Sequence, residues 1–339
     1  MYSKQQINNN FQTFTLTASL KKLYNNILKI AILVLAAIFI YNKLSNNTNL
    51  QNFRHLIAGL STVKIVFTLV VVMLLMLANW SIEALKWRFL LKKIEKISVL
   101  KAVESVFCGL TIAVFTPNRI GEYGGRVFFL SPRRRVPGLV AMGIGSVGQL
   151  VLTNVLGAIS LTWFAFAFFK PSIWASVGIL IGAIAFCSFF LTLFFNVSSL
   201  IRVLSRIKFL KRYDRFFQFF AGYIRKDLVK VFAYCTCRFA VFTSQYCIVI
   251  NMFIPELPVL SIAMMVCILF FIQSALPSLD LLDVGVRTFT ASFFFGYITN
   301  QGVAIIATTA FIWLVNLILP AILGAPFVFK LNFFGTNRN

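Results

Sequence analysis

The sequence PNRIGEYGGR (residues 117–126) interrupts one apolar stretch of this chain, and PSLDLLDVGVR (residues 277–287) interrupts another. Each contains a proline followed by an acid, a glycine and an arginine. Proline ends helices, because it lacks an N–H group and its ring clashes with the preceding turn. Charged, irregular backbone at membrane depth persists only where protein or a water-filled cavity receives it. The two interruptions therefore predict broken helices and the place to look for function.

The rest of the chain has the composition of a polytopic membrane protein. Hydrophobic residues make up 59% of the sequence, and only nine of 339 residues are acidic, which excludes a water-soluble globule. Apolar runs at 65–78, 136–169, 172–195 and 302–329 approach or exceed the roughly 20 residues of a membrane-spanning helix. Alternating strand patterns are absent. We predict an all-α membrane bundle of about six to eight transmembrane helices plus two broken or re-entrant segments.

The net charge of +23 raises the question of a nucleic-acid partner. The cations gather in short segments beside apolar runs: six between Lys86 and Lys101, three at Arg133–Arg135 and nine between Arg202 and Lys230. That distribution is the positive-inside pattern of membrane proteins, and such clusters also attract anionic lipid headgroups. We therefore expect the bilayer and an anionic lipid as partners, and no nucleic acid; a protein partner cannot be named from the sequence.

The basic segments also predict the topology. They place residues 1–22 and 331–339 in the cytosol as tails, and no signal peptide is recognisable. Residues 23–330 are predicted to form a single membrane domain, with halves at 23–197 and 229–330 joined by a basic amphipathic interfacial helix at 198–222. The two breaks resemble each other in composition, but they do not align well enough to decide whether the halves are a true repeat.

Individual spans follow from the apolar runs and breakers. They are predicted at Leu23–Tyr41, Val63–Leu91, Val136–Phe169, Ser172–Phe195, Val229–Phe253, from Pro258 to about Leu276, Thr288–Ile298 (short) and Gly302–Phe329. The segment Ala102–Leu130 is flanked by basic residues on both sides. Since both flanks then belong to the same side of the membrane, a re-entrant helix pair is predicted there.

Arg119, Glu122 and Arg126 are spaced by three and four residues, so they share one face of a helix that starts after Pro117. Glu122 is then placed to bridge both arginines, and Gly121 permits close backbone approach. Two interpretations follow: a salt-bridge cluster that locks a broken helix, or a net positive site for a lipid phosphate, with Asn118 as a secondary candidate.

The second break offers Asp280, Asp283, Gly285 and Arg287 as further binding candidates. Asp283 and Arg287 have the spacing of an intrahelical pair. Alternatively, the additional acid reaches across the protein to Arg119 or Arg126, and the sequence does not separate these possibilities.

Other polar residues within apolar runs are secondary candidates. Glu83 and Glu104 lie near predicted helix ends, where exposure at the membrane surface is the favoured interpretation. A second set either lines a cavity or forms hydrogen bonds between helices: Gln149, Thr153, Asn154, Gln273 and Ser274.

No metal site or cofactor is predicted. All six cysteines lie in apolar segments, where thiols pack as small hydrophobic groups. Cys235 and Cys237 point to different helix faces, and His55 stands alone in a polar loop.

The sequence TPNRIGE at 116–122, followed by Arg126, resembles the P-x-R-x-G-E-x-x-R signature of the lysylphosphatidylglycerol synthase transmembrane region family. WRFLL at 87–91 and the second break also resemble family landmarks, and the likeness extends over about residues 60–325. The chain departs from the pattern by Tyr123-Gly124-Gly125 before the arginine, by Gln149 in place of an acid, and by Arg287 where a glutamate is common.

The resemblance implies a helical membrane domain that handles lipid headgroups in a bacterial inner membrane, as relatives that translocate aminoacylated phosphatidylglycerol do. Those relatives carry a cytosolic aminoacyl-transfer domain that these 339 residues lack, so transferase activity is not expected. The leading hypothesis is a flippase-like protein that binds an anionic lipid in a polar cavity. The alternatives are a membrane-embedded transferase with Glu122 or Asp283 as base, and a non-transporting scaffold for an envelope enzyme.

Overall fold

The computed structural model describes residues 58, 60–114, 116, 119–196, 222–275 and 280–331, the last range without the side chains of residues 280–286. Within this part of the chain, all regular structure is helical. The helices are α1 Thr62–Leu91, α2 Val99–Ala113, α3 Ile120–Val127, α4 Arg135–Phe164, α5 Ile173–Phe195, α6 Arg225–Phe253, α7 Val259–Ala275, α8 Asp280–Phe295, α9 Gly302–Trp313 and α10 Leu319–Val328. A π-helical turn, Ala165–Phe169, extends α4, and another, Leu314–Ile318, joins α9 to α10.

Among the residues that the structure describes, four helical segments are long and apolar enough to cross a membrane: Thr62–Leu91, Pro132–Phe169, Ile173–Phe195 and Gly302–Val328. These agree with four of the predicted spans, and the predicted all-α membrane bundle is confirmed. The predicted first span, Leu23–Tyr41, and the predicted interfacial helix at 198–222 lie outside the described residues, apart from Gly222.

Helices α2 and α3 form the hairpin that the basic flanks predicted. A Cβ atom added at Gly125 would lie 2.5 Å from the Cα atom of Gly109, so the two backbones touch at a pair of glycines. The segment also returns to its starting end, because the Ser131 N–H and hydroxyl donate hydrogen bonds to the carboxylate of Glu95 (3.1 and 2.9 Å), just before α2 begins. The segment therefore leaves and returns at the same end of the bundle, and its position relative to the membrane stays a prediction.

The second break is shorter than predicted. The sequence suggested irregular backbone as far as Arg287, with a short helix from Thr288, whereas α8 is helical from Asp280 onward. A helix can start as soon as Pro277 is behind it, and an aspartate in the first turn is stabilised by the helix dipole. Asp280–Arg287 are therefore part of a helix, and residues 276–279 lie outside the described part of the chain.

Basic loops gather at one end of the bundle. There Lys93, between α1 and α2, contacts Asp227 in the first turn of α6, and Lys330 after α10 contacts Glu104 in α2. The core is built mainly between α1, α4, α6 and α7. Helix α5 is peripheral, and Phe194 is its only buried residue.

Candidate functional site

A cavity of about 550 Å³ lies between α1, α3, α4, α6, α7, α8 and the π-helical turn after α9. Its charged lining consists of Glu83, Lys86, Arg119, Glu122, Arg238 and Arg287. Neutral polar side chains form a second part of the lining: Asn79, Ser146, Gln149, Thr153, Gln273, Ser274 and Asn316. The remainder is largely apolar and aromatic, including Trp80, Phe239, Phe242, Phe270 and Trp313.

Glu83 is the centre of the charged lining. Its Oε1 atom accepts a hydrogen bond from Arg126 Nη1 at 2.6 Å, and its Oε2 atom contacts both Lys86 Nζ, at 2.7 Å, and Arg238 Nη1. Glu83 is only 5% exposed and Lys86 only 3%. The expectation of a surface-exposed Glu83 was wrong, because the three cations replace the water that the carboxylate loses. Lys86 likewise lies within α1 rather than in a basic loop.

Arg238 was not predicted from the sequence as a residue of the site. Its Nε–H donates a hydrogen bond to Asn79 Oδ1 at 3.1 Å, and its guanidinium lies 5.1 Å from the centre of the Trp80 ring. The available signal was a single arginine well inside the apolar part of α6, since a cation at that depth requires a partner.

Glu122 bridges two arginines, as predicted. Its Oε1 atom contacts Arg126, and its Oε2 atom lies 3.1 Å from Arg119 Nη2. Arg119 precedes α3 with a left-handed backbone (φ 56°), so the chain turns sharply there. The turn is held by the Gly121 N–H, which donates to Thr116 Oγ1 at 2.8 Å, and a Cβ at Gly121 would lie 2.5 Å from the Ile112 carbonyl oxygen.

Arg126 lies behind the cavity wall. It is 2% exposed, and its two terminal nitrogens contact Glu83 and Glu122. The structure therefore places it as a link between two carboxylates, while Arg119, Arg238 and Arg287 reach the lining.

The remaining candidates divide into three groups. Gln149 and Gln273 line the cavity, whereas Asn154 is buried away from the lining. Asn118 and the side chains of Asp280 and Asp283 lie outside the described residues, whereas Gly285 lies within α8; both pairings considered for Asp283 stay predictions. Glu104, expected at the surface, is buried and paired with Lys330.

A buried amide network supports the cavity at the π-helical turn. Asn316 Nδ2 donates to Gln245 Oε1 at 2.9 Å, and Gln245 Nε2 donates to the Val72 carbonyl oxygen at 3.0 Å. The network joins α1, α6 and the turn. Wide π-helical turns inside helices frequently occur at functional sites.

The charges of the lining favour an anion. Four cations and two carboxylates face the cavity within the described residues, and both carboxylates are already paired. Guanidinium groups present donors in a geometry that fits phosphate oxygens. In the same part of the chain, no group of three or more His, Cys, Asp or Glu is placed to hold a metal ion.

Comparison with curated proteins finds no match to this chain. A family model described as lysylphosphatidylglycerol synthase TM region matches residues 26–324. The match includes every described residue that lines the cavity. Because it covers most of the chain, the protein belongs to the lysylphosphatidylglycerol synthase transmembrane region family.

Proposed function

We propose that this integral membrane protein binds the headgroup of an anionic phospholipid in its cavity and moves the lipid between leaflets. The observation that carries the proposal is the excess of cations in a cavity of about 550 Å³, where four cations and two paired carboxylates form the charged lining among the described residues. That volume is within the range of roughly 300 to 1,000 Å³ typical of small-molecule sites. Glu83 holds Lys86 and Arg238, and Glu122 holds Arg119, so an entering phosphate finds these three cations already oriented.

The depth of the cavity supports transport rather than surface adsorption. Glu83 precedes the basic end of α1 at Leu91 by eight residues, which is about 12 Å along a helix at 1.5 Å per residue. Under the positive-inside rule, the basic end faces the cytosol. We therefore propose entry from the cytoplasmic leaflet of a bacterial inner membrane, with both termini on the cytosolic side.

A membrane-embedded transferase is less well supported. A general base needs a carboxylate that can take up a proton from the substrate. Glu122 is engaged by Arg119 and Arg126, which stabilise its charged form and make it a poor proton acceptor.

The test is movement of fluorescent phosphatidylglycerol across liposomes that contain the purified protein. Wild type is compared with Arg238→Gln and Arg119→Gln, which remove one charge each from the lining. Arg133→Gln is the matched control, because Arg133 is an exposed arginine before α4 and does not line the cavity. We expect the two cavity variants to transport at least about tenfold more slowly, since a charge-assisted hydrogen bond contributes roughly 1.5 to 3 kcal/mol.

Equal rates for wild type and both cavity variants would contradict the proposal. Mass spectrometry of the recovered lipid separates transport from chemistry, because a flippase changes only the side on which the lipid lies. A new lipid species would favour the transferase. Unchanged cellular function in the charge-neutralised variants, together with a stoichiometric co-purifying subunit, would favour the scaffold.

A further inference from the structure

Aromatic rings gather where two helices of the cavity wall meet at one end of the bundle. Helix α4 and its π-helical turn contribute three rings, and α8 with the turn after it contributes three more: Phe164, Phe168, Phe169, Phe293, Phe294 and Tyr297. We call this set the aromatic cluster. The same two helices line the cavity, α4 through Gln149 and Thr153 and α8 through Arg287.

Phe164 and Tyr297 are the centre of the aromatic cluster. Their ring centroids are 4.9 Å apart, and the Tyr297 ring also lies 5.4 Å from Phe168 and 6.2 Å from Phe169. The Phe164 ring lies 5.2 Å from that of Phe294. The backbone of α8 packs chiefly on its chain neighbours α7 and α9. Ring contacts, rather than close backbone packing, therefore connect α8 to α4.

The π-helical turn Ala165–Phe169 allows these contacts to form. Successive residues of an α-helix are rotated by about 100°, so residues five apart point in different directions. The wider turn has i→i+5 hydrogen bonds, and it brings Phe164 and Phe169 to the same side with ring centroids 5.7 Å apart. Both rings therefore contact Tyr297.

The aromatic cluster lies beyond the cavity, away from the basic loops. Along α4, Phe164 follows Arg135 by 29 residues and Thr153 by eleven, which is about 44 Å and about 16 Å at 1.5 Å per residue. Along α8, Phe294 follows Arg287 by seven residues, or about 10 Å. In the topology of the proposed function, this end of the bundle faces the outer leaflet.

Ring contacts suit a joint that opens and closes within a membrane. Polar contacts that separate in hydrocarbon leave unsatisfied groups, which is costly, whereas ring contacts leave none. The ion pairs of Glu83 with Arg126 and Arg238 are of the first kind, and they hold α1, α3 and α6 together. The contact between α4 and α8 is of the second kind, so these two helices can part at low cost.

We infer that the aromatic cluster is the outer gate of the cavity. It closes α4 against α8 while the cavity accepts lipid from the cytoplasmic leaflet, and it opens to release the lipid to the outer leaflet. The inference rests on the proposed function, because a gate has a role only if a ligand crosses the membrane. If the rings served only to anchor the helices at the membrane surface, fixing them together would leave transport unchanged.

The test fixes the gate closed and measures transport. In the double variant Phe169→Cys with Tyr297→Cys, a short bis-methanethiosulfonate reagent bridges the two thiols through disulfides, and dithiothreitol removes the bridge. Both positions are exposed (63% and 41%), so the reagent can reach them. Bridging should slow the movement of fluorescent phosphatidylglycerol across liposomes at least about tenfold, because release then requires a gate that cannot open. Reduction should restore it, and the reduced variant should transport at least as fast as wild type.

The matched control is Phe293→Cys with Tyr297→Cys. The ring centroids of this pair are 5.9 Å apart, close to the 6.2 Å of the test pair, and Phe293 is also exposed. Both residues belong to α8 and the turn after it, so a bridge between them does not join α8 to α4. Transport by the bridged control should therefore be unchanged. Wild type treated with the same reagent controls for the native cysteines.

Binding of phosphatidylglycerol to the purified protein in detergent separates the gate from the binding site. The bridged test variant should bind this lipid as the reduced variant does, because the cavity still admits it from the cytoplasmic side. A bridge that abolishes binding together with transport would overturn the gate, since its effect would then lie in the cavity.

The other outcomes separate the inference from the proposed function. Equal transport by the bridged and reduced test variants would overturn the gate and leave lipid transport in place. Equal slowing of the bridged control, or a reduced test variant slower than wild type, would also overturn it, because the rings would then act by maintaining the fold. Absence of transport by wild type would overturn both proposals.

Discussion

Glu83 Oε1 accepts a hydrogen bond from Arg126 Nη1 at 2.6 Å, across 43 residues of sequence. This pair ties α1, one of the apolar spans, to α3, the second helix of the α2–α3 hairpin. Arg126 is fully buried and contacts Glu122 with its other terminal nitrogen. The hairpin is therefore held in the bundle by charge as well as by apolar packing.

Replacing Glu83 should destabilise the protein strongly. Glu83→Gln removes the charge that balances Arg126, Arg238 and Lys86, and breaking a buried ion pair costs about 3 to 5 kcal/mol. Thermal melting in detergent should show a clear decrease in Tm. Glu256→Gln, at an exposed position between α6 and α7, is the control and should melt as wild type does.

A second change distinguishes loss of charge balance from a local packing defect. Arg238→Gln added to Glu83→Gln removes one of the stranded cations. The decrease in Tm of the double variant should be smaller than the sum of the decreases in the two single variants, because contacting charges are coupled. Simple additivity would show that the two side chains act independently.

The contact between Gly109 and Gly125 makes a sharper structural prediction. In Gly125→Ala, the new methyl group would lie 2.5 Å from Gly109 Cα and 2.9 Å from Gly109 N, both of them backbone atoms. The hairpin must then open, at a cost of about 1 to 3 kcal/mol or more. In Gly124→Ala, the nearest atom is a Phe128 ring carbon at 3.7 Å.

These neighbouring variants add the same methyl group to the same helix. Gly124→Ala should be neutral or slightly stabilising, since alanine favours a helix over glycine by up to about 1 kcal/mol. Melting temperatures measured side by side provide the check. A similar decrease in both variants would contradict the close contact of α2 and α3.

The cluster at the first break could be predicted because it is local. Proline fixes where the helix can start, and the spacing of Arg119, Glu122 and Arg126 fixes which side chains share a face. The structure confirms that Glu122 bridges both arginines.

The partners from α1 and α6 could not be predicted in the same way. Helix α1 is apolar on nearly all faces, so its sequence does not show that Glu83 points inward. The contacts of Glu83 with Arg126 and Arg238 depend on how three helices pack, which the spacing within each helix does not determine. An isolated charge in an apolar segment is costly, so the sequence does predict that these charged side chains have partners. It does not identify which residues the partners are.

Tyr223 should give the protein a specific sensitivity to alkaline pH. Its hydroxyl donates a hydrogen bond to the Leu90 carbonyl oxygen at 2.6 Å, in the last turn of α1. Burial, with a contribution from the charge of Asp227, raises the pKa of Tyr223 above its ordinary value. The folded protein then keeps the neutral phenol while the unfolded chain ionises above about pH 10.

The direction of the pH dependence follows from the difference between the pKa of Tyr223 in the folded and in the unfolded state. A raised pKa in the folded state contributes stability below the unfolded pKa, and this contribution decreases as the pH rises above about 10. Tyr223→Phe should lose about 1 kcal/mol at neutral pH from the missing hydrogen bond. Its Tm should then fall less than that of wild type between about pH 9 and about pH 11. Parallel pH profiles of the two proteins would contradict a role for this phenol.

Substitutions of Glu122 test whether its ion pairs with the two arginines are buried or solvated. Its side chain is 14% exposed and lies between Arg119 and Arg126. Glu122→Ala leaves both arginines without this partner, so the free energy of unfolding should decrease by about 3 kcal/mol. This is the lower end of the range for a buried pair, because Arg126 retains its contact with Glu83. Glu122→Gln keeps an oxygen that can accept one hydrogen bond, so it should still insert in the membrane and melt between Glu122→Ala and wild type. The melting temperatures of the three proteins in detergent test this order. If Glu122→Ala had the melting temperature of wild type, water rather than the carboxylate would satisfy the two arginines.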